Sequence, residues 1–143
     1  MKDPTPAIKT ALLTILGSEF TVTGVTCKNY ADAPTEAPDE FIWIDTTGFT
    51  DVGAKDSFVL ECQVDLVIVS RVNVKAPSTL RLDAISNYAL NAIVSRGANF
   101  TDVQNWFTFF SVKLSGVTNG RDVIDNKMEV YKRLQLTMLC QQN

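Results

Sequence analysis

Histidine is absent from this sequence of 143 residues, and its absence excludes several kinds of chemistry. Histidine is the commonest general base near neutral pH, and it activates the nucleophile in Ser-His and Cys-His arrangements. Without it, the chain also lacks a ligand from which zinc sites are usually built. We therefore predict that the protein is not an enzyme and has no catalytic residues, no metal site and no cofactor.

Cysteine is scarce, and its spacing indicates no redox or metal chemistry. The three cysteines, Cys27, Cys62 and Cys140, are far apart, odd in number and never arranged as CxxC. Cys62 and Cys140 fall on the apolar faces of predicted strands. We interpret these two as small buried hydrophobic residues in a reducing compartment.

Long apolar runs and clustered basic residues are also missing. No run approaches the roughly 20 residues that a membrane-spanning helix needs. Residues 1–6 contain neither an apolar signal core nor a small-residue cleavage site, so we do not expect secretion by that route. The formal net charge is -3, and Lys132-Arg133 is the only adjacent basic pair. Because nucleic-acid-binding surfaces usually cluster Lys and Arg, we expect no direct readout of DNA. Because no apolar run is long enough to span a bilayer, we also expect no membrane partner.

The composition is that of a globular protein, with 45% hydrophobic and 20% charged residues, which suits a single domain over residues 1–143. The strongest pattern is a pair of long alternating segments, Ser57–Arg71 and Met128–Cys140, each with one apolar face. Strands of this length need partners along their full extent, so they predict a sheet. Between them, Ser78–Arg96 has the periodicity of an amphipathic helix that ends at Gly97.

Weaker signals complete the predicted order of elements. In chain order they are a helix at Pro6–Leu16 capped by Thr5 and ended by Gly17, a short strand at Phe20–Lys28 broken or frayed at Gly24, an exposed Pro-rich acidic loop at residues 29–40, a strand at Phe41–Thr47, turn residues at Gly48–Asp56 and an aromatic-rich strand at Trp106–Leu114. Asn119-Gly120 is a strong two-residue turn signal and predicts a protruding hairpin arm over residues 112–130. The predicted fold is α+β, a mainly antiparallel sheet of about four to five strands with two helices packed on it, in the order α-β-β-β-α-β-β.

The polar residues of these elements favour surfaces over reaction centres. The acids of the 29–40 loop match neither a calcium loop nor a carboxylate pair fixed on rigid strands. The aromatics at 106–110 lack the interleaved basic residues of a platform for single-stranded nucleic acid, and favour core packing or a protein interface. Glu61, Gln63 and Asp65 share one face of the long strand, which indicates that this face meets water or another subunit.

The order of these elements resembles the phage tail-completion, or tail-terminator, family of small proteins that form a ring at the head-proximal end of a tail. The likeness is carried by the opening helix, the Pro-rich bend at residues 33–38, the long apolar strand from Phe58, the helix Ser78–Arg96 and the closing strand from Val130. It spans most of the chain.

This resemblance implies a structural virion protein of the tail or neck, made in the host cytoplasm, whose copies assemble head to tail into a hexameric or larger ring. Its partners would be further copies of itself and tail-tube, neck or connector proteins, with DNA only as passing cargo. Under this interpretation the expected interface comprises Glu61, Gln63, Asp65, Asn119, Gly120 and Arg121. Two alternatives stay open, namely a head-tail connector or neck ring protein, and a small ligand-binding α+β domain.

Overall fold

The structure is a computed structural model, and it describes residues 2–36, 38–53, 58–73, 78–94, 106–124 and 127–143. In this part of the chain, six strands form one sheet and two helices pack on one of its faces. The helices are α1 (Thr5–Leu16) and α2 (Leu80–Val94), and the strands are β1 (Glu19–Val22), β2 (Val25–Tyr30), β3 (Glu40–Asp51), β4 (Val59–Asn73), β5 (Phe107–Ile124) and β6 (Lys127–Gln142). The predicted α+β class and mainly antiparallel sheet are confirmed.

The strands lie in the order β1-β2-β3-β4-β6-β5, so β1 and β5 form the two edges. Neighbours run antiparallel except β2 and β3, which are parallel. β4 and β6 pair without a register shift from Val59 opposite Gln141 to Asn73 opposite Lys127. These are the two long strands that the alternation predicted, and their ladder occupies the middle of the sheet.

One predicted strand proves to be two. The segment Phe20–Lys28 forms a hairpin in which β1 and β2 pair closely up to Val22 opposite Val25. Its two turn residues, Thr23 and Gly24, have φ angles of 49° and 77°. Two consecutive positive φ angles suit the tight turn of a right-twisted hairpin. The sequence predicted a break at Gly24 but not the reversal of direction, because Thr rarely adopts positive φ.

The region between β3 and β4 also differs from expectation. β3 continues to Asp51, and residues 48–51 pair with Leu60–Gln63. The prediction that turn residues begin at Gly48 is therefore wrong. A register shift between Thr46 and Gly48 lets the strand continue past its glycine. Residues 54–57 of the predicted turn lie outside the described part of the chain, as do Arg96 and Gly97 of the predicted end of α2.

The Asn119-Gly120 turn is a further correction. Both residues lie inside β5, where they pair with Lys132 and Tyr131, and the pairing of β5 with β6 continues to Ile124 opposite Lys127. β4 accompanies β6 to the same end, so the hairpin does not leave the sheet as a two-stranded arm. A Cβ atom at Gly120 would overlap the ring of Tyr131, which lies across the strand at this point, so a larger residue there would require that ring to move.

The core lies between the helices and one face of the sheet, which we call the helix face. Alternate residues of β4, from Leu60 to Ile68, are buried there against apolar side chains of both helices, including Leu12 and Ile85. Cys62 and Cys140 belong to this core, as predicted, and so does Cys27. A fully buried Leu or Ile contributes roughly 1.5–3 kcal/mol, so this layer supplies most of the fold's stability.

Asn29 joins α1 to the sheet, although the sequence placed it at the start of an exposed loop. It is only 9% exposed and lies in β2. Its side-chain amide donates to the carbonyl oxygens of Gly17 at 2.9 Å and Leu16 at 3.4 Å. These carbonyls follow the last turn of α1, where the helix itself leaves acceptors unpaired.

Replacing Asn29 with Ala should lower the free energy of unfolding by about 1–3 kcal/mol, because the carbonyl of Gly17 would lose its buried donor. Urea denaturation followed by circular dichroism measures the change. The matched control is Asn119→Ala, at an exposed position where the side chain makes no hydrogen bond to another described residue. Equal stability of the two variants would contradict the role assigned to Asn29.

Candidate functional site

The face of the sheet opposite the helices, here called the open face, carries a small apolar cluster and a set of ion pairs. Phe41, Val67 and Val69 are buried on it, and half-buried Tyr30, Trp43 and Tyr131 pack around them. No helix in the described ranges covers this face. The apolar cluster is therefore shielded from water by the large side chains at its own margin.

Arg133 is the central charge of the open face. Its guanidinium Nη1 atom donates to the carboxylates of Asp65 at 2.8 Å and Asp45 at 2.9 Å. These two aspartates lie directly opposite each other on β3 and β4, so their negative charges would repel without the cation between them. The hydrogen bond to Asp65, and next the one to Asp45, raises the pKa of Arg133. The guanidinium stays charged and links the carboxylates of the two neighbouring strands.

The predicted contact residues of β4 share this face but differ in how much they offer a partner. Asp65 is 7% exposed and is held by Arg133. Gln63 is exposed, and Glu61 is half-buried. The amide of Gln63 donates to Glu61 at 3.3 Å and accepts from the hydroxyl of Thr137 at 3.2 Å. Glu61 and Gln63 therefore form the accessible part of this patch, and Asp65 acts only through Arg133.

The predicted contact residues of β5 are divided between the faces. Gly120 pairs with Tyr131 on the open face. Asn119 and Arg121 pair with Lys132 and Val130, and so they lie on the helix face. The structure thus brings Glu61, Gln63 and Asp65 together but places Asn119 and Arg121 on the opposite side of the sheet.

Asn119 and Arg121 line a cavity of about 410 Å³ between β5 and the start of α2. Thr79, Leu82 and Asp83 form the helical wall. Lys132 lies in the floor and donates to Asp83 at 2.7 Å. The positive charge of Lys132 is therefore already compensated, whereas exposed Arg121 has no ion pair among the described residues.

The edge strand also exposes apolar side chains that the sequence did not single out. Leu114, Val117 and Val123 are 41%, 47% and 62% exposed. All three pair with β6 residues on the helix face, beyond the cover of the two helices. Their spacing around a register shift between Leu114 and Gly116 hides the alternation that would have indicated one apolar strip. Residues 114–123 of β5 therefore present an apolar strip beside a free strand edge.

The cysteines are unsuited to nucleophilic chemistry. Burial, and next the Glu40 carboxylate, raises the pKa of Cys27 to about 12. The Sγ atoms of Cys62 and Cys140 are 3.9 Å apart, and this hydrogen bond, followed by burial, raises the pKa of Cys62. A protonated thiol is a poor nucleophile and a poor metal ligand. No group of three or more His, Cys, Asp or Glu side chains in the described residues could hold a metal ion.

Comparison with solved structures identifies the same fold in a chain of the "Virion of native gene transfer agent (GTA) particle". The TM-score is 0.71 and the sequence identity is 12%, with 97% of this chain and 98% of that chain covered. At this identity the likeness shows the fold alone. Neither a protein-family model nor a curated protein matches the sequence. Within the described ranges, no helix has the length and apolar character needed to cross a membrane.

Replacing Arg133 with Met should lower the free energy of unfolding by about 1–3 kcal/mol at pH 7, because Asp45 and Asp65 would face each other without a cation. Chemical denaturation at pH 7 measures the effect. Adding Asp65→Asn to the Arg133→Met chain should recover part of the loss, because it removes one of the two facing charges. A double variant no more stable than Arg133→Met would contradict this account.

The raised pKa of Cys27 predicts a loss of stability in alkali. Between the ordinary thiol pKa of 9.0 and about 12, the unfolded chain loses this proton while the folded chain keeps it. The unfolded state then binds fewer protons, so the free energy of unfolding falls by roughly 1 kcal/mol per pH unit from this thiol. Denaturation of the wild type and of Cys27→Ala between pH 8 and about 11 measures the difference. Identical pH slopes for the two chains would contradict the prediction.

Proposed function

We propose that this chain is a structural subunit of a phage-like virion, which assembles into a ring at the head-proximal end of the tail and joins the tail to the head or neck. The observation that carries the proposal is the shared fold with a chain of a virion particle over nearly the full length of both, at a TM-score of 0.71. The order of elements, which resembles the tail-terminator family, supports the same assignment.

The chemistry of the described residues supports a structural role. The three thiols are buried, and the principal charges of the open face are engaged in ion pairs within the chain, including Arg71 with Glu129 at 2.9 Å. What remains accessible is distributed over surfaces: Glu61 and Gln63 on the open face, and the edge strand β5 with Arg121 on the helix face. Groups of this kind suit contacts with other subunits better than they suit the binding of a small molecule.

A ring requires each subunit to carry two different patches that complement each other. Glu61 and Arg121 lie on opposite faces of one sheet and carry opposite charges. We assign them to the two sides of the subunit contact, with Glu61 of one copy against Arg121 of the next. The net charge of -3 keeps such a ring from gripping DNA that passes through its centre.

Native mass spectrometry of the full chain, with electron microscopy of negatively stained particles, tests the ring. Glu61→Lys and Arg121→Glu should each weaken ring formation by on the order of tenfold in subunit concentration, because each places like charges across the contact. Combining the two substitutions in one chain should restore the ring. Glu36→Lys, in the exposed loop, makes the same charge change away from both patches and should leave the ring intact.

The same experiment identifies the ring's place in the virion. Rings that bind tail-tube protein support the terminator assignment, whereas rings that bind portal or connector protein would assign the chain to the neck. A strict monomer at high concentration, even with tail-tube and neck proteins present, would rule out the ring.

A further inference from the structure

The free edge of β5 has no partner of matching length in the described part of the chain. β5 extends over 18 residues and, among the described strands, pairs only with β6, so alternate backbone N–H and C=O groups point away from the sheet. The opposite edge, β1, has 4 residues and could cover only a small part of it. Among the described strands, β4 and β6 have neighbours on both sides, and β3 has a free side only beyond Trp43, where its pairing with β2 ends. The strand whose free edge matches that of β5 in length is β5 itself, in a second copy of the chain.

Two charges on β5 are uncompensated within the described part of the chain. Lys113 and Asp122 are both exposed, and both lie on the open face, opposite Thr137 and Glu129 of β6. Neither makes an ion pair among the described residues, whereas Arg71, Arg133, Asp45 and Glu129 on the same face are paired. They have opposite signs and lie toward opposite ends of residues 112–123. An antiparallel second copy can therefore place the lysine of each copy opposite the aspartate of the other.

The register shift in β5 makes such a pairing self-consistent. Because Ser115 is an extra residue relative to β6, open-face positions have odd numbers from 111 to 114 and even numbers after Ser115. An antiparallel pair centred on Thr118 of both copies, with Ser115 skipped, joins open-face residues to open-face residues over residues 112–123. It places Lys113 opposite Asp122, and Val112 opposite Val123 on the helix face. The backbone N–H and C=O groups that point away from β6 in one copy then face the corresponding groups of the other copy along the ladder.

We propose that two copies of the free protein associate through β5, antiparallel, about a two-fold axis at Thr118, with Lys113 of each copy paired to Asp122 of the other. Long edge strands are commonly protected by lysine and by bulges, and β5 has both. Here the bulge also brings the lysine into register with an aspartate, which protection alone does not require. This contact extends the sheet to twelve strands, twice the six of one chain, and covers Leu114 and Val117, which are 41% and 47% exposed.

The dimer is distinct from the proposed ring and competes with it. Both contacts use β5, and Arg121 would lie opposite Leu114 of the second copy in the dimer. Formation of the ring therefore requires the dimer to open. The dimer keeps the longest unpaired edge of the described chain covered until other virion components displace the second copy.

Sedimentation equilibrium of the full chain at low salt tests the dimer through charge exchange. Lys113→Asp and Asp122→Lys should each raise the dissociation constant by on the order of tenfold, because symmetry turns two attractive pairs into two repulsive ones. The double variant should return the constant to near the wild-type value. An equimolar mixture of the two single variants should form a mixed dimer, since each of its cross-strand pairs again joins opposite charges. Added salt should weaken the wild-type dimer.

Glu36→Lys is the control for charge change and should leave the dissociation constant unchanged, and circular dichroism confirms that each variant is folded. A chain that remains monomeric up to millimolar concentration would overturn the proposal, as would a dimer that the Lys113 and Asp122 substitutions leave unaltered. A larger ring that responds to Glu61 and Arg121 but not to Lys113 and Asp122 would overturn the dimer and leave the ring standing. A dimer that responds as expected, without any ring, would support the dimer and overturn the ring.

Discussion

The uninterrupted ladder between β4 and β6 is the constraint on which the rest of the structure depends. β4 connects by way of α2 and β5 to β6, yet the two strands pair over the whole 15-residue length of β4. Their shared helix face forms the floor of the core, so α1 and α2 are positioned by the residues that this ladder presents. Because β6 is enclosed between β4 and β5, β5 is placed at the edge. The free edge, and with it the candidate contact surface, follows from the pairing in the middle of the sheet.

Strong alternation made the central elements predictable, and local signals failed where pairing overrode them. Ser57–Arg71 and Met128–Cys140 were recognised because each keeps one apolar face across many residues. Asn119-Gly120 was interpreted as a turn because this dipeptide favours positive φ. Instead, β5 stays paired with β6 through both residues, and the ring of Tyr131 occupies the space that Gly120 leaves. The prediction of a turn is therefore wrong, and the glycine instead makes room for a cross-strand contact that no local pattern displays.

Only the part of the candidate site that lies on a single strand was predictable. Alternation along one strand placed Glu61, Gln63 and Asp65 on a common face, and the structure has them there. It could not reveal that Asp65 is held by Arg133, since the partner lies 68 residues further along the chain. Nor could it separate Asn119 and Arg121 from that face, because the assignment depends on the register shift near Ser115. The exposure of Val117 and Val123 depends equally on where the helices end.

The register shifts have a consequence for how the length of this chain can vary. They fall between Thr46 and Gly48 in β3, and between Phe109 and Ser111 and between Leu114 and Gly116 in β5. At each of these places the strand has a neighbour on one side only, since β2 accompanies β3 no further than Trp43. Each skipped residue is extra relative to the neighbouring strand, so deletion of its codon would leave the remaining cross-strand pairs in place. The margins of this sheet can thus gain or lose single codons, whereas in the β4–β6 ladder the same change would reverse every face beyond it.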